Sequence, residues 1–188
     1  VAAYLDTIVF DKTGTLTKGE FEVNELLTAD GVSEAELLEA AAYAENFSDH
    51  PIAASIKRAF AKEGNEIAAE RISDVKEVAG HGIRILLDGA EVFAGNEKLL
   101  SDNSIAAVLT EKPGTVVYVA KSGSYMGCVI ISDTIKPEAW QAIKSLKQAG
   151  VKQTVMLTGD RKKAGEAVAK ELGIDTVYTQ LLPADKVA

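Results

Sequence analysis

The sequence has one cysteine, few aromatic residues and no excess of positive charge, and each of these scarcities excludes a class of protein. The single cysteine, Cys128, rules out an internal disulfide and fits a reducing compartment. A formal net charge of -8 opposes nucleic-acid binding, which needs a basic surface to displace counterions from phosphates. No apolar run reaches the ~18 residues that suggest a transmembrane helix, and the N-terminus lacks a signal-peptide pattern. We expect a soluble, cytosolic chain that binds no nucleic acid.

The composition that remains is that of a globular protein. With 188 residues, of which 47% are hydrophobic and 26% charged, the chain can bury the core of one or two domains. A bound nucleotide is compatible with the negative charge, because backbone amides, helix N-termini and Mg²⁺ can neutralise phosphates. The chain begins almost directly on an apolar strand, so we interpret it as a fragment of a longer protein, and we expect it to be monomeric.

Strands and helices alternate at the two ends of the chain. Residues 5–10 are apolar and rich in β-branched side chains, which predicts a buried strand that leads into a polar loop. Residues 154–158 predict a second strand, and residues 164–172 predict the helix that follows it. Another helix is predicted between Pro137 and Gly150. This alternation is typical of a parallel α/β sheet.

The middle of the chain predicts two helices followed by antiparallel strands. A capping box formed by Ser33 and Glu36 opens the first helix, and Pro51 begins the second. The predicted strands form two hairpins, residues 83–87 with 91–94 and residues 115–120 with 125–131. Asp88-Gly89 is a favoured turn for the first hairpin. This combination indicates an α+β domain.

The two patterns together predict two domains, one inserted in the other. The α/β domain is discontinuous and comprises residues 1–20 and 129–188. The α+β domain comprises residues 21–128, and we expect short hinges near Gly19 and Gly127.

Polar residues follow both predicted strands of the α/β domain. Ligands bind beyond the carboxyl ends of the strands in such sheets, and Asp11 and Thr158 lie there. A carboxylate at that edge can attack phosphorus if a divalent cation, a lysine and oriented amides neutralise the phosphate. We therefore predict Asp11 as the nucleophile, Thr158 as a donor to a phosphate oxygen and Lys186 as the cation.

This order of residues resembles the haloacid dehalogenase-like phosphotransfer superfamily. Asp11-Lys-Thr-Gly-Thr15 looks like the signature of the P-type ATPases, in which the aspartate becomes an aspartyl phosphate, and Thr158-Gly-Asp160 and Pro183-Ala-Asp-Lys186 follow in the matching order. The resemblance implies a Rossmann-like phosphorylation domain, incomplete at its C-terminus, that uses ATP and Mg²⁺. It further implies that Asp11 and Thr13 hold the Mg²⁺ and that Gly159 and Asp160 contribute to cofactor binding.

Thr13 distinguishes pump chemistry from phosphatase chemistry. Phosphatases of the superfamily commonly have a second aspartate two residues after the nucleophile, where it acts as general acid and base. A threonine at that position leaves the acyl phosphate long-lived unless another domain supplies a base. This favours a transport cycle over the alternative, a soluble phosphatase with a cap domain.

The inserted domain resembles the nucleotide-binding domain of heavy-metal-transporting P-type ATPases. Four features match in order: Glu45, His50-Pro51, Gly80-His-Gly82 and Gly95-Asn96. The resemblance implies that Glu45 accepts a hydrogen bond from the adenine amino group and that His50 orients the nucleotide. It also implies that Gly80 and Gly82 admit the nucleotide closely and that Asn96 adds a polar contact.

Each of these residues also has a purely structural interpretation. Glu45 could be a solvated charge at a helix end, His50 and Asn96 could be helix N-caps, and the two glycines could mark a bend. Asp133 resembles the family's hinge-side aspartate near the ribose, and a turn or cap role is the alternative. The sequence leaves these choices open.

We predict that the chain is the ATP-binding and aspartyl-phosphorylation part of a P-type ATPase that exports heavy-metal cations. The predicted cargo is zinc, cadmium or lead, and copper is the alternative. The parent would be an integral membrane protein, with this part on its cytoplasmic face and with transmembrane helices and an actuator domain as partners. The family's further Mg²⁺-binding segment would follow Lys186 and is not in the chain, so we expect poor phosphorylation of the fragment. A catalytically silent nucleotide-binding module is therefore a second alternative.

Overall fold

The computed structural model describes residues 6–160 and 162–181, which divide into two compact units. One unit comprises the described residues up to Glu20 and from Asp133 onward, and the other comprises Phe21–Ser132. The chain passes from one unit to the other inside two long strands, β2 (Thr17–Thr28) and β7 (Ser124–Ile135). No helix in the described ranges has the length and apolar composition needed to cross a bilayer.

Gly19 and Gly127, near which we expect hinges, lie within strands β2 and β7. Strands β2 and β7 are neighbours in one sheet, and a Cβ at Gly127 would lie 2.3 Å from the Leu27 carbonyl oxygen. The close approach of the two strands therefore explains this glycine, and the return to the first unit comes later, after Ser132.

The first unit contains a parallel sheet flanked by helices. Its strands lie in the order β1-β8-β9 and its helices follow β7 and β8. The bounds are β1 (Thr7–Asp11), α4 (Ala139–Gln148), β8 (Gln153–Leu157), α5 (Lys162–Leu172) and β9 (Thr176–Tyr178). Both strand pairs are parallel, which confirms the predicted α/β architecture.

The core of the first unit forms where the two helices pack on the sheet. Met156 of β8 is fully buried and contacts a cluster that includes Ile143 of α4 and Leu172 of α5. The prediction that the first strand is buried is wrong for part of β1, because alternate residues face solvent and Val9 is 55% exposed. Successive side chains of a strand point to opposite faces of the sheet, so one face of β1 is exposed among the described residues.

The second unit is a six-stranded sheet covered by three helices. The described strands lie in the order β2-β7-β6-β5-β4-β3. The remaining bounds are α1 (Glu34–Ala44), α2 (Pro51–Lys62), β3 (Ile72–Val78), β4 (Gly82–Leu87), β5 (Ala90–Gly95), α3 (Glu97–Asp102) and β6 (Thr115–Lys121). The successive pairs from β3 to β7 are antiparallel, which confirms the predicted α+β pattern.

Two local signals in the second unit are confirmed in detail. The Ser33 hydroxyl accepts from the Glu36 backbone N–H at 3.2 Å, and the Glu36 carboxylate accepts from the Ser33 N–H at 2.9 Å. The turn between β4 and β5 has Asp88 and Gly89 at φ 51° and 79°, as the predicted type of hairpin requires.

The sheet of the second unit has an apolar cluster on each face. Successive residues of β5 alternate between them: Val92 and Ala94 join a cluster with helices α1 and α2, whereas Phe93 joins a cluster with α3. Cys128 is buried in the α3 cluster, where burial raises the pKa of its thiol. The cysteine therefore acts as a small apolar residue.

Candidate functional site

Asp11 and Thr158 emerge at the same edge of the parallel sheet. Asp11 is the last residue of β1 and pairs with Leu157, the last residue of β8, so Thr158 follows directly. Asp11 is exposed, and the chain then turns through Lys12–Leu16 with Gly14 at φ 79°, a conformation that favours glycine. The exposed carboxylate thus stands where ligands bind in sheets of this kind.

Thr158 is buried and firmly held by its neighbours. It is 1% exposed, its N–H donates to the Tyr178 carbonyl at 3.0 Å, and its carbonyl accepts from Leu181 at 3.2 Å. Its hydroxyl accepts from the Asp160 N–H at 3.1 Å. Because it accepts in this bond, the hydroxyl keeps its own hydrogen for donation to a ligand.

Lys12, directly after Asp11, is buried between two carboxylates. Its Nζ lies 3.1 Å from an Asp160 oxygen and 3.4 Å from an Asp133 oxygen, and the residue is 3% exposed. A buried ammonium needs such partners to offset its lost hydration. Asp160, predicted at the cofactor site, therefore has its carboxylate directed at Lys12. The sequence alone did not predict this role of Lys12.

The Asp133 carboxylate also accepts bonds from the chain that leaves the first unit. It accepts from the Gly19 N–H at 3.0 Å and from the Thr17 hydroxyl at 2.5 Å. Together with Lys12, these donors engage both carboxylate oxygens, and Asp133 is 9% exposed. Asp133 lies within β7, and its carboxylate joins this strand to β2 and to Lys12, so the predicted alternative of a turn or cap role is wrong.

The other residues predicted at this site are Thr13, Gly159 and Lys186. Thr13 is exposed beside Asp11. Gly159 leads into the loop after β8, where a Cβ would lie 3.1 Å from the Leu181 carbonyl oxygen. A second cation that sequence reasoning missed, Lys136, donates to the Gly14 carbonyl at 2.8 Å. Lys186 lies outside the described residues.

The oxygen ligands at this edge suit Mg²⁺. No group of three or more His, Cys, Asp or Glu among the described residues could hold a metal. Mg²⁺ needs no such group, because it is bound through one or two carboxylates together with waters and substrate phosphates. The exposed Asp11 carboxylate beside the exposed Thr13 is a donor set of that kind.

In the second unit, Glu45 and His50 lie on the short connection between α1 and α2. Burial raises the pKa of Glu45, the Lys57 ammonium and the Ser48 hydroxyl oppose the rise, and Glu77 of β3 adds to it. His50 caps α2 by accepting from the Ile52 N–H at Nδ1, at 3.2 Å. An accepting Nδ1 carries no hydrogen, so Nε2 of the neutral ring carries it and can donate.

The two glycines of Gly80-His-Gly82 have different physical reasons. A Cβ at Gly82 would lie 2.2 Å from the Ala94 carbonyl oxygen and 2.6 Å from the Gly95 Cα, so β5 requires this glycine. Gly80 has φ 71°, and a Cβ there would meet nothing within 4 Å. Only Gly80 therefore leaves open space, whereas Gly82 allows the close approach of two strands.

Asn96 fastens the Gly80 loop to the start of α3. Its side-chain oxygen accepts from the Leu99 N–H at 3.1 Å, its side-chain nitrogen donates to the Gly80 carbonyl at 3.0 Å, and its backbone N–H donates to the His81 carbonyl at 2.8 Å. Asn96 is thus a helix cap, which was the structural interpretation of this residue in the sequence. It also holds the Gly80 loop through its bonds to the Gly80 and His81 carbonyls.

Comparison with known proteins assigns the family. Residues 5–188 match the haloacid dehalogenase-like hydrolases. The chain belongs to this family. Its particular relatives are heavy-metal P-type ATPases.

The chain is 52% identical over 180 residues to the cadmium, zinc and cobalt-transporting ATPase of Bacillus subtilis, covering 96% of this chain and 25% of that protein. It is 48% identical over 181 residues to the zinc-transporting ATPase of Synechocystis, again 96% of this chain and 25% of that protein. A probable copper-exporting P-type ATPase of Archaeoglobus fulgidus is 37% identical over 195 residues, 99% of this chain and 23% of that protein. The chain thus spans about a quarter of the length of the curated relatives it matches.

Solved structures give the same relationship. The crystal structure of a zinc-transporting PIB-type ATPase in its E2·Pi state matches with a TM-score of 0.82 and 33% identity, over 97% of this chain and 30% of that one. The catalytic domain of the CPx-ATPase CopB-B, studied for its conformational changes on nucleotide binding, matches with a TM-score of 0.71 and 29% identity, over 97% of this chain and 64% of that one. The fold is therefore that of the catalytic domains of these pumps.

Proposed function

We propose that the chain is the nucleotide-binding and phosphorylation part of a P-type ATPase that exports zinc or cadmium. The observation that carries the proposal is the exposed Asp11 at the carboxyl end of β1, beside the buried hydroxyl of Thr158. The names of the relatives support zinc or cadmium as the cargo. The relatives that are 52% and 48% identical to the chain are named as zinc or cadmium transporters, whereas two relatives named as probable copper exporters are 36% and 37% identical to it.

In this proposal Asp11 attacks the γ-phosphorus of ATP. A bond forms between a carboxylate oxygen and phosphorus while the bond from phosphorus to the bridging oxygen of ADP breaks. Thr158 donates its hydroxyl hydrogen to a phosphoryl oxygen, and Lys186 supplies positive charge. Mg²⁺, held by Asp11 and Thr13 oxygens, would neutralise the charge on the transferred group when bound.

Thr13 then preserves the aspartyl phosphate. A threonine hydroxyl is a poor general base, so the residue cannot take a proton from water as a carboxylate does. The intermediate persists until the actuator domain of the whole pump promotes its hydrolysis. The parent protein is an integral membrane protein in this proposal, and the chain lies on the cytoplasmic face beside the transmembrane helices.

The second unit holds the adenine nucleotide. Glu45 accepts from the adenine amino group, and His50 donates from Nε2, which the cap on α2 leaves available. The open space at Gly80 admits the ligand, whereas Gly82 and Asn96 set the shape of the loop. These two sites lie in different units of the chain.

Calorimetric titration with ATP and AMP, with and without Mg²⁺, tests the nucleotide site. His50→Ala removes both the cap and the Nε2 donor, whereas His50→Asn keeps a cap but its shorter amide cannot place a donor at the position of Nε2. We expect both variants to bind ATP at least tenfold more weakly, at ~1.4 kcal/mol per factor of ten, and His50→Asn to unfold thermally like the wild type. A wild-type chain that binds no nucleotide, or a His50→Asn variant with unchanged affinity, would reject the proposal and leave phosphatase chemistry at Asp11.

A further inference from the structure

Lys57 of α2 holds the connection that carries Glu45 and His50. Its half-buried side chain donates to the Ser48 carbonyl at 2.9 Å and to the Asn46 carbonyl at 3.3 Å. Both acceptors lie between Glu45 and His50, where the chain leaves α1 through a single 3-10 turn, Glu45–Phe47. The lysine therefore stabilises this turn through two of its carbonyls.

The same ammonium acts on the charge of Glu45. Carbonyl groups carry no net charge, so the positive charge of Lys57 is not cancelled by its two hydrogen bonds. Around Glu45, Lys57 of α2 and the Ser48 hydroxyl favour the carboxylate, whereas burial and Glu77 of β3 oppose it. Removal of the ammonium would leave the half-buried Glu45 carboxylate with the Ser48 hydroxyl and the like charge of Glu77, and without the positive charge of Lys57.

We propose that Lys57 is a positioning residue for the nucleotide site, which fixes the turn from Asn46 to Ser48 and supplies positive charge opposite Glu45. This inference rests on the proposed function, in which Glu45 and His50 bind an adenine nucleotide. Lys57 acts on the turn in this inference, and its effect reaches the nucleotide through the geometry and ionisation of Glu45. A lysine acting in this way predicts a change in the pH profile of binding as well as in affinity.

Three variants separate charge from shape. Lys57→Met removes the ammonium and keeps an unbranched apolar chain, and Lys57→Arg keeps the charge and the hydrogen-bonding capacity. Lys62→Met is the matched control, because it removes the same charge from an exposed position on the same helix. Each protein is titrated calorimetrically with ATP from about pH 5 to about pH 8, a range that brackets a raised carboxyl pKa.

We expect Lys57→Met to weaken ATP binding about tenfold near neutral pH and to shift the acidic fall in affinity to higher pH. Lys57→Arg should restore the wild-type profile, and Lys62→Met should leave it unchanged. The titration of ATP itself is common to all four proteins, so it cancels in the comparison. A Lys57→Met variant with wild-type binding across the range overturns the inference, and so does an equal loss at every pH that Lys57→Arg fails to restore.

A ligand-free measurement distinguishes failure of this inference from failure of the proposed function. Carbon-13 NMR titration of the Glu45 carboxyl should give a higher midpoint in Lys57→Met than in the wild type or Lys62→Met, because the ionised form loses its ammonium neighbour. If the wild type binds no nucleotide, the proposed function fails while this shift still reports the action of Lys57. If binding occurs and the Glu45 midpoint does not move, the inference alone is overturned.

Discussion

The Lys12 ammonium lies 3.1 Å from the Asp160 carboxylate and joins the loop after β1 to the loop after β8. Lys12 follows the proposed nucleophile Asp11, and Asp160 comes two residues after Thr158. The two loops that carry the proposed phosphoryl transfer are therefore connected by an ion pair whose lysine is buried. Asp133 completes the arrangement at 3.4 Å.

Removal of the buried ammonium should destabilise the first unit. Lys12→Met leaves two carboxylates near each other, one of them buried, and we expect a loss of about 3 kcal/mol in the free energy of unfolding. Lys152→Met is the control, since Lys152 pairs with Asp6 on the surface and both side chains are more than half exposed. That substitution should cost less than about 1 kcal/mol. Urea unfolding measures both, and equal losses would contradict the structural role of Lys12.

Alanine at Gly82 and at Gly80 should have separable effects. Gly82→Ala places a Cβ 2.2 Å from the Ala94 carbonyl oxygen, so β4 and β5 must separate, and we expect a loss of about 3 kcal/mol in stability. Gly80→Ala meets no atom, and its left-handed backbone costs about 1 kcal/mol. Its methyl group occupies the open space, so ATP affinity should fall in calorimetry. Equal stability of the two variants would contradict this assignment.

Asn96 should act on nucleotide binding through the Gly80 loop. Serine caps helices well but cannot reach the Gly80 carbonyl with an amide, so Asn96→Ser should keep thermal stability within about 0.5 kcal/mol. The loosened loop should bind ATP several-fold more weakly. Asn96→Ala loses the cap as well and should cost about 1 kcal/mol in stability. Wild-type affinity in Asn96→Ser would show that the bond from Asn96 to the Gly80 carbonyl is irrelevant to binding.

The carboxylate of Asp175 should make the stability of the first unit depend on acid pH. The Lys147 ammonium and the Thr154 hydroxyl and N–H hold the pKa of Asp175 at about 2. Because the pKa of Asp175 is lower in the folded than in the unfolded state, where it is ~3.9, the carboxylate stabilises the fold at pH values above ~3.9. This stabilisation is lost as the pH falls toward 2. Because the Asp175 side chain is 39% exposed, we expect it to contribute only about 1 kcal/mol to the free energy of unfolding.

The comparison of wild type with Asp175→Asn measures this contribution. The difference in unfolding free energy should be constant near neutral pH and should vanish as the pH approaches 2. A difference that persists unchanged into acid would assign the effect of Asp175 to shape rather than to charge.

Local signals predicted much of the fold, because they act over a few residues. The capping box of Ser33 and Glu36, proline at the start of α2 and the Asp88-Gly89 turn each fix a backbone conformation nearby. Three strands were missed for lack of such a signal. Strand β2 has four charged residues among its twelve, none of the seven residues of the edge strand β3 is buried, and β9 has only three residues.

The parts of the site that were not predicted from the sequence depend on contacts between residues that are far apart in the chain. Lys12 and Asp133 are 121 positions apart, so their ion pair has no signature in spacing. Gly80 and Gly82 look alike in the sequence, and only the position of β5 shows that one faces open space and the other a strand. The Lys57 bonds likewise require the fold of the turn after α1.

Thr13 offers a direct test of the phosphorylation chemistry. Thr13→Asp places a carboxylate two residues after Asp11, on an exposed position of the same turn, where it can take a proton from an attacking water. We expect the aspartyl phosphate formed on Asp11 to hydrolyse about 100-fold faster or more, as general base catalysis allows. Thr13→Asn is the control, since it has nearly the same shape as aspartate and no basic group. The decay of acid-stable, hydroxylamine-sensitive phosphate measures both variants. A phosphorylated Thr13→Asp chain that decays no faster than Thr13→Asn would mean that position 13 does not govern the lifetime of the intermediate.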